Sequence, residues 1–188
     1  MITLGIDEVG RGCWAGPVVA GAVVLGDAIP GLTDSKLLSK KQRQKLTAEI
    51  QLQALAIGLG WVDPEIIDQI GINAAVKLAM ERAHEQIKID YDEVIIDGHI
   101  NFLAENPRSR AVIKADLTEP AVSAASIVAK VARDEYMAKV AAKYPEYGFE
   151  QHVGYGTALH LQKLQLHGVT KLHRTSYKPI QSLLQLSA

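Results

Sequence analysis

The stretch ITLGIDEVGRGCWAGPVVAGAVVL, residues 2–25, decides the fold. Two apolar runs flank a short polar hinge rich in glycine. Ile2 to Ile6 ends against adjacent acids, Asp7 and Glu8, and Pro17 to Leu25 is dominated by valine and alanine. β-Branched residues suit a pleated surface, so both runs predict strands that fold back as a hairpin. Gly10, Gly12 and Gly16 frame Arg11 in the hinge, and glycine lets a backbone approach a ligand closely. The expectation is a hairpin with two carboxylates at a strand end and an arginine beside them. Each half is weak alone. An Asp-Glu pair before a turn is ordinarily solvated. Gly-Arg-Gly is not a dinucleotide fingerprint, and no Gly-Lys-Ser/Thr follows to make a phosphate-binding loop.

The whole chain narrows the classes. Its 188 residues suffice for one domain with a substantial core. An apolar share of 48% and a net charge of −1 are those of an ordinary globular protein. No apolar run reaches membrane-spanning length, and no basic-then-apolar leader opens the chain, so a cytoplasmic protein is expected. Cys13 is the single cysteine, which excludes a disulfide framework or a cysteine-rich zinc site; it is expected to fill a turn. Charge is unevenly placed. Gln151 to Ala188 holds no acid, but it holds Lys163, Lys171, Arg174, Lys178 and four of the six histidines. Lys36, Lys40, Lys41, Arg43 and Lys45 make a second basic run. Singly these are solvated faces; around a carboxylate cluster they suit a phosphodiester backbone.

Outward from the hairpin, Asp34-Ser35-Lys36 lies in a loop, and Ser39 with Gln42 forms a capping-box signature for a helix over Lys40 to Gln53. Ala54 to Val62 predicts a third strand, and Pro64 opens a short helix that Gly71 breaks. Asn73 is the expected cap of a helix over Ala74 to Ile87, with Val76, Met80, Ala83 and Ile87 as its buried stripe. Glu93 to Asp97 predicts a central strand, because its middle is fully apolar. Residues 99 to 110 predict a loop, and Ala111 to Lys114 a short strand followed by Asp116. Pro120 opens a long helix to about Lys143, whose Ser123 and Ser126 are expected to bond back to its own backbone. Asp134 and Glu135 are expected on its exposed side. Phe149 to Thr157 predicts a loop, Ala158 to His167 a helix stopped by Gly168, and Ile180 to Leu186 a closing apolar segment. The C-terminal histidines lack the close spacing of a zinc helix motif.

Asp7, Glu8, Asp97 and Asp116 therefore all fall at strand ends or just beyond, where α/β sheets bind ligands. Converging carboxylates repel unless a cation joins them, and all-oxygen ligands favour Mg²⁺ or Mn²⁺ over zinc. Two such ions suit attack of water on a phosphodiester with no protein nucleophile.

The chain resembles ribonuclease HII, the type 2 ribonuclease H family, over nearly its whole length. The resemblance runs through Gly5-Ile-Asp-Glu-Val-Gly-Arg-Gly12, Gly16-Pro17, Asp34-Ser-Lys36, Ile96-Asp-Gly98, Lys114-Ala-Asp116, Ser123-Ala-Ala-Ser-Ile127, Ala129-Lys130, Arg133-Asp134 and Gly154-Tyr-Gly-Thr157. It implies an α/β, ribonuclease H-like fold: a mixed β-sheet flanked by helices, in a single domain over 1–188. Residues from about 144 to 188 would be a helical, substrate-contacting C-terminal part. It implies a metal-dependent endonuclease that hydrolyses the RNA strand of RNA–DNA hybrids. It also implies cutting 5′ of single ribonucleotides in duplex DNA, leaving a 3′-hydroxyl and a 5′-phosphate. By position, Asp7, Glu8, Asp97 and Asp116 are the metal-binding acids, serving Mg²⁺ or Mn²⁺. Gly10, Arg11 and Gly12 would sense the 2′-hydroxyl. Tyr155 would touch that hydroxyl and stack on the neighbouring deoxyribose. Ser35, Lys36, Arg174 and Ser176 are the expected phosphate contacts.

Physical chemistry agrees with those roles, since the 2′-hydroxyl is what locally separates RNA from DNA, and a guanidinium holds a phosphate bidentately. The chain departs from the family's pattern at Leu37, Ala115 and Thr175, where a lysine, a glycine and an arginine are common. None of these is an expected ligand. Rival readings are another nuclease or strand-transfer enzyme of the same fold, and a catalytically silent binder of hybrid duplexes. The second would expect a lost acid. A monomer that binds no membrane is expected.

Overall fold

The computed structural model describes residues 1–186. Among them, five strands form one sheet: β1 (Thr3–Val9), β2 (Val18–Leu25), β3 (Ala54–Val62), β4 (Glu93–Asp97) and β5 (Ser109–Val112). The order is β3-β2-β1-β4-β5. The predicted hairpin forms, with β1 antiparallel to β2 through Leu4 to Val9, and β2 antiparallel to β3. β1 then pairs parallel with β4, and β4 parallel with β5, so the sheet is mixed. The helices are α1 (Lys40–Gln53), α2 (Pro64–Ile70), α3 (Ile72–His84), α4 (Ala115–Thr118), α5 (Pro120–Ala141), α6 (Phe149–His152), α7 (Ala158–His167) and α8 (Lys178–Leu186).

Strand alternation assigns the two sheet faces. Leu4, Ile6, Val94 and Ile96 pack with Ala75, Val76, Ala79 and Met80 of α3. On the other face Val23 packs with Ile50 of α1 and with Ala124, Ala125 and Ile127 of α5, and Ile95 packs with Val122. The small residues that open α5 let its backbone lie directly on the hairpin. A Cβ on Gly21 would run into the carbonyl oxygen of Ala125, and one on Gly5 into the backbone at Ala121 and Val122. A third apolar cluster joins Met137 and Val140 at the far end of α5 to Tyr147, Phe149, Leu164, Leu172 and Ile180. That cluster docks the C-terminal segment against the hairpin turn at Ala15.

Several local expectations shift. The Ser39–Gln42 capping box forms as predicted. Asn73 does not cap α3, because the helix begins two residues earlier, at Ile72 after Gly71. β5 lies two residues upstream of its predicted span, ahead of a left-handed turn at Lys114, φ 59°. Phe149–His152 is a short helix rather than loop. Ser123 donates to the carbonyl of Asp116 and Ser126 pairs with Ser35, so neither spends its hydroxyl on its own helix.

Candidate active site

β1 alternates, so Gly5 and Asp7 face α5 while Leu4, Ile6 and Glu8 face the α3 side. On β4, Ile95 and Asp97 face α5 as well. The parallel register pairs Ile6 with Ile96, which sets Asp7 and Asp97 side by side on one face at the strand ends. The turn at Lys114 then brings α4 under them, and the backbone N–H of Ala115 donates to Asp97 Oδ1 at 2.8 Å. Oxygens of Asp7, Asp97 and Asp116 lie within 4.8 Å of one another. Glu8 stands beside this trio on the other face, 3.7 Å from Arg11 Nη1.

Charge at this point is not balanced by the protein. Burial pushes the Asp7 carboxyl well above the usual range, and the charges of Glu8 and Asp97 push the same way. A hydrogen bond from Ser126 and the N–H of Glu8, 2.7 Å from Asp7 Oδ1, oppose them. Burial raises Glu8 too, against the pull of Arg11. Asp116 is raised by burial, then by Asp97 and Asp34, with Lys36 opposing. Clustered carboxylate oxygens that resist ionisation together are the donor set of a hard divalent cation, and the trio fits one.

Beside the acids lies the hinge. Gly10 sits at φ 89°, a left-handed conformation that L side chains avoid. Arg11 donates to Asn73 Oδ1 at 2.5 Å and so is tied to α3 as well as to Glu8. Two buried arginines brace the hinge from below. Arg133 donates to the carbonyls of Pro17, Ala15 and Val153 at 2.8, 3.0 and 2.8 Å. Arg174 donates twice to Gly16 and once to Arg11, whose carbonyl also accepts from Tyr177. The Gly154 carbonyl accepts from the N–H of Trp14 at 2.8 Å. Tyr155 therefore comes to the hinge from 140 residues downstream. It shares one cavity of about 220 Å³ with Asp7, Glu8 and Gly10 to Gly12. Burial of its hydroxyl, with Cys13 close by, pushes the phenol up to about 12, so it stays a proton donor at working pH.

The expected phosphate contacts divide. Ser35 and Lys36 line the same cavity as Asp7. The Ser35 hydroxyl is paired with that of Ser126 at 3.0 Å, and Lys36 is exposed. Arg174 is not available as a phosphate contact: it is 0% exposed, and its guanidinium is spent on Gly16, Arg11 and Tyr177. Ser176 is likewise engaged within the chain. Its N–H and hydroxyl, with those of Thr175, surround the Asp68 carboxylate at 2.6 to 2.9 Å. Asp134, expected on an exposed side, is half-buried between Lys130 and Arg43. Sequence reasoning gave no site role to Asn73, Ser126, Lys130 or Arg133. Lys130 lines the cavity with its Nζ 5.4 Å from the centre of the Tyr155 ring. Lys130 and Asp134 stand one helical turn apart and pair with each other, the one local signal the sequence offered for this lysine.

The family model for ribonuclease HII matches residues 4–180. A ribonuclease HII of Dichelobacter nodosus is 50% identical over 184 residues, 96% of each chain. One of Bacillus cereus is 48% identical over 183 residues, 96% of this chain and 70% of that relative. Among solved structures, the ribonuclease H2 of Pyrococcus horikoshii superposes with a TM-score of 0.84 at 26% identity, covering 99% of this chain and 98% of the other. The ribonuclease HII in a complex with PCNA from Archaeoglobus fulgidus gives 0.79 at 26% identity, covering 95% and 96%.

Proposed function

The chain belongs to the ribonuclease HII family, endonuclease hydrolases with ribonuclease H activity on RNA–DNA hybrids, and from that premise we propose its finer specificity. It cuts hybrids and also cuts 5′ of single ribonucleotides in duplex DNA, leaving a 3′-hydroxyl and a 5′-phosphate. One observation carries the reading: the hinge Gly10 to Gly12, Tyr155 and Asp7 share a single cavity, so a group that inspects a sugar sits beside a group that cleaves its phosphate.

Asp7, Asp97 and Asp116, with Glu8, would hold Mg²⁺ or Mn²⁺, two ions during turnover. Such ions supply a hydroxide nucleophile and neutralise the charge growing on the leaving oxygen. The chain does the rest. Backbone groups at Gly10 to Gly12 can approach a 2′-hydroxyl because no side chain stands on the glycines. Arg11, fixed by Asn73 and Glu8, presents its remaining donors to the adjoining phosphate. Tyr155 offers a protonated hydroxyl and a flat ring face that tolerates deoxyribose. Lys36 and Lys130 add positive charge along the backbone path. Every part comes from one chain, which supports a single-domain monomer, its segment from about residue 144 onward contributing Tyr155. No described helix is long and apolar enough to cross a membrane. A DNA substrate supports a cytoplasmic setting.

The test is cleavage of a DNA duplex carrying one ribonucleotide, with Mg²⁺, with Mn²⁺ and with EDTA. A single metal-dependent cut on the 5′ side is expected. Cleavage of long hybrids alone would retain the carboxylate site and remove the sensing roles of Gly10, Arg11, Gly12 and Tyr155.

A further inference from the structure

We propose that His160 and His173 are positioning residues for Tyr155, acting through a one-way chain of hydrogen bonds between neutral imidazoles; the proposal rests on the reading of Tyr155 as the sugar-sensing residue. The two rings are buried, at 0% and 1% exposure. The backbone N–H of Thr170 points at His173 Nδ1 from 3.0 Å, which makes that nitrogen an acceptor and puts the ring's proton on Nε2. His173 Nε2 lies 3.1 Å from His160 Nε2, so it donates and His160 accepts. His160 must then carry its own proton on Nδ1, and Nδ1 lies 2.9 Å from the carbonyl oxygen of Tyr155. Each link dictates the tautomer of the next, and the chain ends on the backbone of the residue that faces the sugar. A parallel link steadies the preceding residue, where the N–H of Gly154 donates to His152 Nδ1 at 3.2 Å.

Only the neutral pair can make this chain. A proton added to His160 Nε2 or His173 Nδ1 sets two donors face to face. The groups that face the pair are His152 of α6, stacked on His160 at 4.2 Å between ring centres, Tyr147 beside His173 at 5.4 Å, and Trp14 and Phe149 against His160. Among the described residues, no carboxylate acts on either ring. Burial holds both histidines down at about 4, so the chain is intact at neutral pH.

The decisive comparison is His160→Asn against His160→Gln. The Asn amide nitrogen stands where Nδ1 stood and still reaches the Tyr155 carbonyl; the Gln amide stands at Nε2 and does not. We expect His160→Gln to lose about tenfold of the preference for a single-ribonucleotide duplex over a long hybrid, the scale of one hydrogen bond's positioning. The loss falls on KM for the single-ribonucleotide duplex and spares kcat on the hybrid, and His160→Asn restores the preference. If His160→Gln keeps the preference, or if Asn and Gln lose it equally, the proposal is overturned. Tyr155→Ala is the parallel arm. A Tyr155→Ala enzyme that loses the preference beside a His160→Gln enzyme that keeps it removes only the histidine chain. A Tyr155→Ala enzyme that keeps it removes the sensing role of Tyr155, and the positioning role with it. Nitrogen-15 spectra of the unaltered protein at neutral pH decide the matter even if a variant does not fold. They should show His160 protonated at Nδ1 and His173 at Nε2, and the opposite tautomer at either ring overturns the chain.

Discussion

At the scale of single residues, the role proposed for Asp7 runs against stability. It is 6% exposed, and burial and the neighbouring acids Glu8 and Asp97 all oppose its charge. Asp7→Asn should therefore cut cleavage by about 10²–10³-fold or more, the scale of losing one preorganised electrostatic contact. The same change should raise the stability of the metal-free protein by on the order of 1 kcal/mol, about 2–4 °C in Tm. Activity assays beside calorimetry in EDTA check both signs, and a destabilised variant would show that the carboxylate is structurally needed. Arg174 shows the converse, a charge that serves only architecture. Lysine offers one donor group and cannot bridge Gly16, Arg11 and Tyr177. Arg174→Lys should lower Tm and leave the salt slope of hybrid binding unchanged, while Lys36→Ala should reduce that slope by about one. A salt slope that falls with Arg174 would return it to the phosphate contacts.

At the scale of elements, the site depends on how closely α5 lies on the hairpin. That helix carries Ser126 and Lys130, and its residue Arg133 braces the hinge. The approach is set by glycine on the strands and by alanine on the helix. Gly21→Ala places a methyl group against the Ala125 carbonyl, where neither backbone can yield without lifting the helix. Overpacking of this kind costs about 1–3 kcal/mol. Because the displaced helix lines the cavity, kcat should fall further than the fraction folded does. Denaturation midpoints measured with kcat at a temperature where the variant is fully folded separate the two losses. An enzyme with full kcat and lowered Tm would confine the effect to packing.

At the scale of the whole molecule, two sets of buried groups oppose each other as pH falls. His160 and His173 sit at about 4 in the fold against an ordinary value near 6.5. Below about 6.5 the unfolded chain therefore binds more protons, and their contribution to stability is lost between about 6.5 and 4. Asp7, Glu8 and Asp116 are raised, so the native metal-free protein takes up protons ahead of the unfolded chain and gains stability from them as pH falls. In EDTA the two trends have opposite signs. An ion held by the carboxylates as proposed would keep them ionised near neutral pH, and acid would release it together with its stabilisation. Tm should fall more steeply from pH 7 to pH 5 with Mn²⁺ than with EDTA. Equal slopes would mean that no ion binds the carboxylate cluster in the folded state.

How far the sequence reaches depends on the range of the forces involved. The hairpin, the capping box at Ser39, the central strand Glu93–Asp97 and the long helix after Pro120 follow from local rules: β-branched runs, a side chain that caps its own helix, proline at a first turn. The carboxylates were legible because acids at several strand ends must converge once the strands share a sheet. Asn73, Arg133 and Arg174 were not. Asn73 has the chemistry of a cap, and only the packing of α3 beside the hinge turns it to Arg11. Arg174 has the chemistry of a phosphate contact, and only the docking of the C-terminal cluster seals it under the hinge. By itself the sequence determined the strands, the helices and the acids at the strand ends, because periodicity and turn chemistry act over a few residues. The tertiary structure alone decided which cations face solvent, because the burial of Arg174 is set by Gly16 and Arg11, 158 and 163 residues away along the chain.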